Sequence, residues 1–134
     1  MKFEELKIGM KDSITKVITS EDINCFAEIS LDKNPLHLDE EAASKGLFGR
    51  RVAHGILVSG LISAVLGTKL PGDGTIYLGQ DLRFRKPVFI GDTITATAEV
   101  VELKAEKHFV ILKTTCTNQD GVEVISGQAT VMVK

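Results

Sequence analysis

The chain has 134 residues, enough for one domain (residues 1–134) that buries a core without disulfide or metal staples. Hydrophobic residues make up 43% and charged residues 25%, the profile of an ordinary globular protein. A net charge of −2 and a pI near 5.9 leave no electrostatic footprint for nucleic acid.

The N-terminal stretch "MKFEELKIGMKD" has acidic residues and no apolar h-region, so no secretory signal is expected. Residues 12–18, "DSITKVI", read as a first strand. Thr19 then opens a helix, with Asp22 placed as in a capping box and Ile23, Phe26 and Ala27 forming an apolar face. After a loop at 32–37, "DEEAASKG" reads as one or two helical turns closed by Gly46. Residues 54–66, "HGILVSGLISAVL", lack a charged face, which predicts a helix buried on most sides. The apolar run around it is too short for a bilayer span of about 20 residues, so no membrane role is expected. Cys25 and Cys116 form no metal-type spacing and are expected as reduced, buried thiols in a cytoplasmic protein, with a disulfide as the alternative.

The second half changes period. "TIYLGQDLRFRK", "DTITATAEVVEL", "HFVILKTTCTN" and "VEVISGQATVMV" are rich in Val, Ile and Thr and alternate with period two. "NQDG" signals a hairpin between the last two, and "PVFIGD" joins the first two. Four consecutive strands predict an antiparallel meander. With the first strand they form a curved sheet around one buried helix, an α+β architecture.

The most informative stretch is "SLDKNPLHLDE", residues 30–40, which places Asp32, Asn34 and His37 around Pro35. Pro35 disfavours helical geometry at Asn34 and makes the segment turn. A turn can bring Asp32 and His37 together although their spacing suits no single helix face. An unperturbed His, near pKa 6.5, suits proton transfer at neutral pH; an unperturbed Asp, near 3.9, is a weak base unless burial raises it.

"DKNPLHLDE", followed by "AHGILVSGLISAVLG" and then "LGQDLRFRKPVFIGDT", resembles the MaoC-like (R)-specific enoyl-CoA hydratases, from about residue 4 to the C-terminus. The resemblance implies a hotdog fold, a curved sheet wrapped around one long helix, and a homodimer or higher oligomer. It implies addition of water to a trans-2-enoyl-CoA to give the (R)-3-hydroxyacyl-CoA, and the reverse. It also implies that Asp32 and His37 hold the catalytic water, without deciding which is acid and which is base.

That reaction needs a base for water, a proton for Cα and stabilisation of the thioester oxygen. It needs no cofactor or metal, and the sequence holds no cluster with metal-ligand spacing. Gly55 suits the thioester oxygen, because it opens a helix whose first N–H groups lack partners, and because a glycine admits close approach; the resemblance gives the same role. Ser63 matches the family's active-site serine by position, and the alternative is a hydroxyl bonded to its own helix. Asn34 either orients the dyad or simply makes the turn before Pro35. His54 is expected to hold the helix start, and His108 to begin a strand in solvent. Leu66, one turn past Ser63, and Val131 are candidates for the acyl tunnel or plain core. Arg83, Arg85 and Lys86 are candidates for the CoA phosphates or a solvated edge strand, with Arg83 and Arg85 on one strand face. Two other enzyme readings stand beside the hydratase: a hotdog acyl-CoA thioesterase, and a dehydratase acting on carrier-protein thioesters. A non-catalytic partner subunit is disfavoured by the presence of both Asp32 and His37.

Overall fold

The structure, a computed structural model, describes residues 1–134. Strand β1 (Lys11–Val17) leads into helix α1 (Ser20–Ser30). The capping box forms as the sequence predicts: Asp22 N–H donates to Thr19 Oγ1 at 3.1 Å and Thr19 N–H to Asp22 Oδ2 at 3.0 Å. Partial burial pushes the Asp22 carboxyl up, but the Thr19 N–H and Lys16, 3.0 Å away, outweigh it and hold the group below its ordinary value.

Helix α1 stops at Leu31, whose φ of 67° is the left-handed conformation that reverses the chain. Two short helices follow, α2 (Pro35–Leu38) and α3 (Glu40–Ser44), then the long helix α4 (Gly55–Thr68). Gly46 closes α3 through its N–H to Ala43 O, 3.0 Å.

The sheet contains β1, β2 (Ile76–Phe84), β3 (Thr93–Lys104), β4 (Phe109–Thr117) and β5 (Glu123–Met132), all antiparallel. Its order is β1-β3-β4-β5-β2. This corrects the expected meander. β3, β4 and β5 do follow one another, and Asn118 organises the β4–β5 turn by accepting from Asp120 and Val122. β2 does not pair with β3, however. β1 already occupies that edge, Lys11 to Val17 against Glu99 to Thr93, so the "PVFIGD" segment crosses over and β2 pairs with β5.

Helix α4 lies across the sheet, mainly on β3. Ala96 and Ala98 of β3 are small and fully buried, which lets the helix approach closely; Val58, Ile62, Val65 and Leu66 fill the space between. The architecture is the α+β wrap expected from the sequence. One expectation needs correction: α4 is not buried on most sides. Ile56 is 56% exposed, and Gly60 and Ser63 on the same side are also open. The helix is apolar all round, yet the chain covers only part of it.

Two further corrections concern isolated residues. Cys25 is exposed, since it sits on the outer side of α1; only Cys116 is buried, and burial pushes its thiol up to about 12. His108 is half-buried rather than free in solvent, stacked on Phe3 with ring centroids 4.5 Å apart.

Candidate active site

The turn after α1 is built from side chains bonding to the backbone. Ser30 Oγ accepts from Asp32 N–H, and Asp32 Oδ1 accepts from Asn34 N–H at 3.3 Å. Asn34 Oδ1 caps α2 by accepting from Leu36 N–H at 3.0 Å, with Pro35 at the first helical position. The Asn34 amide therefore serves the turn and does not orient the His37 ring. The turn sets His37 on the inner side of α2, half-buried, and leaves Asp32 exposed.

Three polar ties hold α2 against the segment that leads into α4. His37 Nδ1 lies 2.7 Å from Val52 O, Val52 N–H donates to Leu36 O at 3.4 Å, and Arg51 Nε donates to His37 O at 2.6 Å. Arg51 also reaches Ser20 Oγ and Asn24 Oδ1 on α1. Its guanidinium has no carboxylate partner; its donors go to the backbone of a proposed catalytic residue and to the neighbouring helix. Sequence reasoning missed Arg51, because nothing in the spacing of "GRRVAHG" marks which arginine turns inward.

A carbonyl oxygen only accepts, so the bond to Val52 O puts the His37 proton on Nδ1 and leaves Nε2 of the neutral ring as an acceptor. The same reasoning applies to His54. Its Nε2 lies 3.0 Å from Asp32 O, so Nε2 carries the proton and Nδ1 is bare. His54 is 2% exposed, and its Nδ1 is buried without a partner. The two imidazoles stack, with centroids 3.9 Å apart, and Phe26 packs on the far side of His54 at 4.8 Å. His54 makes no side-chain bond to the helix it opens; its side chain instead clamps the backbone of Asp32. One ligand-capable atom each from Asp32, His37 and His54 lies within 4.8 Å of the others.

Beside them begins α4. No side chain caps it, so its first N–H groups and the positive end of its dipole face outward. A cleft of about 360 Å³ opens there, bordered by Leu36, His37, Gly55, Phe84, Arg85 and Lys86. The close neighbour that Gly55 admits is the Phe84 ring. A Cβ at position 55 would sit 2.5 Å from the Phe84 ring edge, which explains the glycine whether or not a ligand is bound.

The other sequence-predicted residues scatter. Ser63 is exposed on the open side of α4, away from this cleft, bordering a groove with Tyr77 and Leu78. Leu66 and Val131 are fully buried in the main core and border no cleft of the single chain. β2 ends at Phe84, so Arg83 and Arg85 are not a same-face strand pair. Arg85 and Lys86 reach the cleft, Arg85 with Nε donating to Ser126 Oγ, while Arg83 does not. None of the three forms an ion pair.

The MaoC like domain model matches residues 4–122. An (R)-specific enoyl-CoA hydratase of Rhodospirillum rubrum is 53% identical over 131 residues, covering 98% of this chain and 90% of that protein. The (R)-hydratase from Aeromonas caviae involved in PHA biosynthesis superposes with a TM-score of 0.95 at 40% identity, covering 98% of this chain and 99% of that one. The unliganded (R)-hydratase PhaJ1 of Pseudomonas aeruginosa gives 0.94 at 44% identity, covering 98% and 84%. Fold, motif and full-length similarity point the same way: this chain belongs to the MaoC-like domain family.

Proposed function

We propose that the protein catalyses the (R)-specific hydration of trans-2-enoyl-CoA and the reverse dehydration. The observation that carries this reading is the meeting of Asp32 and His37 beside the uncapped start of α4. A water held by this pair gives its oxygen to Cβ and a proton to the pair. The electron pair of the alkene moves toward the thioester, whose oxygen gathers charge at the Gly55 end of α4. A proton from the pair then reaches Cα, and the acyl chain has gained one water in all. Arg85 and Lys86 at the cleft rim suit the phosphates of CoA. The relatives described above are named for the (R)-specific reaction, which supports the same hand here. The involvement of the Aeromonas caviae enzyme in PHA biosynthesis supports polyhydroxyalkanoate precursor supply as the destination of the product.

The working unit in this reading is a two-fold homodimer. Edge strand β2 exposes Ile76 (51%), Tyr77 (40%) and Leu78 (48%), an apolar edge that a lone soluble domain avoids. Tyr77 and Leu78 border one groove with Ile56, Gly60 and Ser63 of α4. A second copy paired along β2 covers both surfaces and brings Ser63 out of solvent. Leu66 and Val131 serve the acyl chain in this reading only through a tunnel that opens in the dimer.

The test is turnover of crotonyl-CoA with chiral analysis of the product. Loss of the enoyl absorbance with no free thiol, and (R)-3-hydroxybutyryl-CoA as product, is expected. Release of free CoA makes the protein a thioesterase instead, and turnover only of a carrier-protein-bound crotonyl group moves the substrate class. Sedimentation of the active protein at the mass of one chain contradicts the dimer.

A further inference from the structure

The start of α4 has a neighbour that hydration chemistry leaves without a role. A Cβ on Gly55 would sit 2.5 Å from both Cδ1 and Cε1 of Phe84, so the ring lies against the bare Cα of the glycine. Strand geometry puts it there. Leu82 packs against the core from β2, and Phe84, two residues on, shares that face of the strand. Phe84 pairs with Ile125 of β5, and the following N–H, that of Arg85, donates to Val124 O at 2.8 Å. The backbone that carries the ring is therefore held to the sheet. Phe84, Gly55 and His37 border the same cleft, and Phe84 is 54% exposed beside it.

The hydratase reading places a thioester oxygen at the Gly55 end of α4 and an activated water at Asp32 and His37. A polarised carbonyl and an activated water are also what thioester hydrolysis requires. The carbonyl carbon is only two bonds from Cβ. A hydratase must keep water off the first carbon while delivering it to the second. Arg85 and Lys86 at the rim are charged and draw water in. The three atoms nearest the Cβ position of Gly55 all belong to the Phe84 ring, which is apolar and excludes it.

We propose that Phe84 selects hydration over hydrolysis: its ring fills the place beside Gly55 from which a second water would reach the carbonyl carbon of the bound thioester. With the ring trimmed, that water enters and the Asp32–His37 pair takes its proton. Its oxygen bonds to the carbonyl carbon, the C–S bond breaks, and the proton passes to the sulfur of the departing CoA. One water is consumed, and the products are a carboxylic acid and a free thiol. The inference rests on the hydratase reading and names the group that keeps this site from acting as a thioesterase.

The experiment uses the full chain with crotonyl-CoA and butyryl-CoA. Butyryl-CoA has no double bond to hydrate, so free thiol from it reports hydrolysis alone. Cys25 is exposed, so thiol is counted beyond one equivalent per chain. Wild type should hydrate crotonyl-CoA and release thiol from butyryl-CoA at the background rate. Phe84→Ala should raise that release at least about tenfold, a modest part of the about 10²–10⁴-fold that a positioned base supplies. Phe84→Leu, still apolar and bulky, should stay near wild type. So should Ile8→Ala, which trims an exposed side chain outside every cleft. Adding His37→Gln to Phe84→Ala should return the release to background. Phe84→Ala is first checked for a cooperative thermal melt; if it does not fold, Phe84→Thr, small, polar and suited to a strand end, takes its place. Unchanged thiol release in the folded small variant overturns the proposal. So does release that rises as much in Phe84→Leu, release that persists with His37→Gln, or a wild type that already hydrolyses butyryl-CoA as fast as the variant. A wild type that does not hydrate crotonyl-CoA is a separate result: it fails the hydratase reading itself, and this inference with it.

Discussion

The sheet-facing side of α4 and the segment from Leu31 to His54 are held by different forces. On the first, Val58, Ile62, Val65 and Leu66 are at most 1% exposed and packed among valines, isoleucines and alanines. On the second, only Ala43, Val52, Ala53 and His54 are buried. Its shape comes from Asn34, His37 and Arg51 bonding to backbone groups. Burying a large aliphatic side chain is worth about 1.5–3 kcal/mol, and a typical hydrogen bond about 0.5–1.5 kcal/mol net. The proposed chemistry thus sits on the lightly held region, and the stability on the other. Substitutions in the two regions should therefore fail in different assays.

The sharpest separation is expected at the dyad. Asp32→Asn and His37→Gln should each lower kcat by at least about 10²-fold, within the range general acid–base groups supply, with less change in KM. The melting temperature should move little, and the double variant should be far from additive. Near-normal kcat in either single variant removes that residue from the chemistry.

Leu66→Ala probes the other region. It should cost about 2–5 kcal/mol in urea unfolding, because it leaves a cavity under α4. In the acyl-tunnel reading, kcat/KM for C8 against C4 enoyl-CoA should rise, by up to about tenfold for two carbons at about 0.8 kcal/mol per methylene. A parallel fall for C4, C6 and C8 shows plain core.

Arg51→Ala tests whether the polar ties position the chemistry. It should reduce kcat about tenfold or more while KM stays near its starting value, since a misplaced His37 affects the reaction more than binding. Arg51→Lys should restore only part, because an ammonium lacks the planar fork that reaches three acceptors. Full rescue by lysine reduces the role to charge.

The smallest effect is expected at Asp22, which completes the capping box with Thr19. Asp22→Asn should cost about 1 kcal/mol at neutral pH. The native carboxyl titrates below its ordinary value, so its contribution is fully present above the unfolded carboxylate pKa near 3.9 and is lost as pH falls through the lower folded value. The two proteins should therefore converge in stability in acid; a gap that widens there reverses the sign.

These residues also mark how far the sequence was legible. Local rules carried the capping box at Thr19, the turn at Pro35, the apolar helix after His54 and the period-two strands, because each depends on neighbours a few residues apart. The place of β2 did not follow, since which edge of β3 is free depends on β1, far away in the chain. The meeting of Asp32 and His37 was legible because they lie five residues apart across the turn at Pro35. The meeting of Asp32 with His54 was not, because it depends on how α1 and α4 pack. Arg51 was invisible for the same reason, its three acceptors lying on α1 and α2. The open side of α4 shows the limit of the all-apolar pattern: residues 55–66 carry no charged side chain, yet Ile56, Gly60 and Ser63 are exposed.

The bond from His54 to the carbonyl of Asp32 joins residues 22 positions apart. It means that the geometry of the dyad is indifferent to how long the path between α3 and Arg50 is. Residues 44–50 are all exposed, with Leu47 at 91%, and the path turns at Gly49 with φ 75°. Closing a longer loop adds little free energy, about 0.6 kcal/mol per doubling. Away from Phe48, which borders the cleft, this stretch is where the chain can accept inserted peptide, whether by natural drift in length or as a site for grafting a tag or a second domain, without the two histidines losing sight of each other.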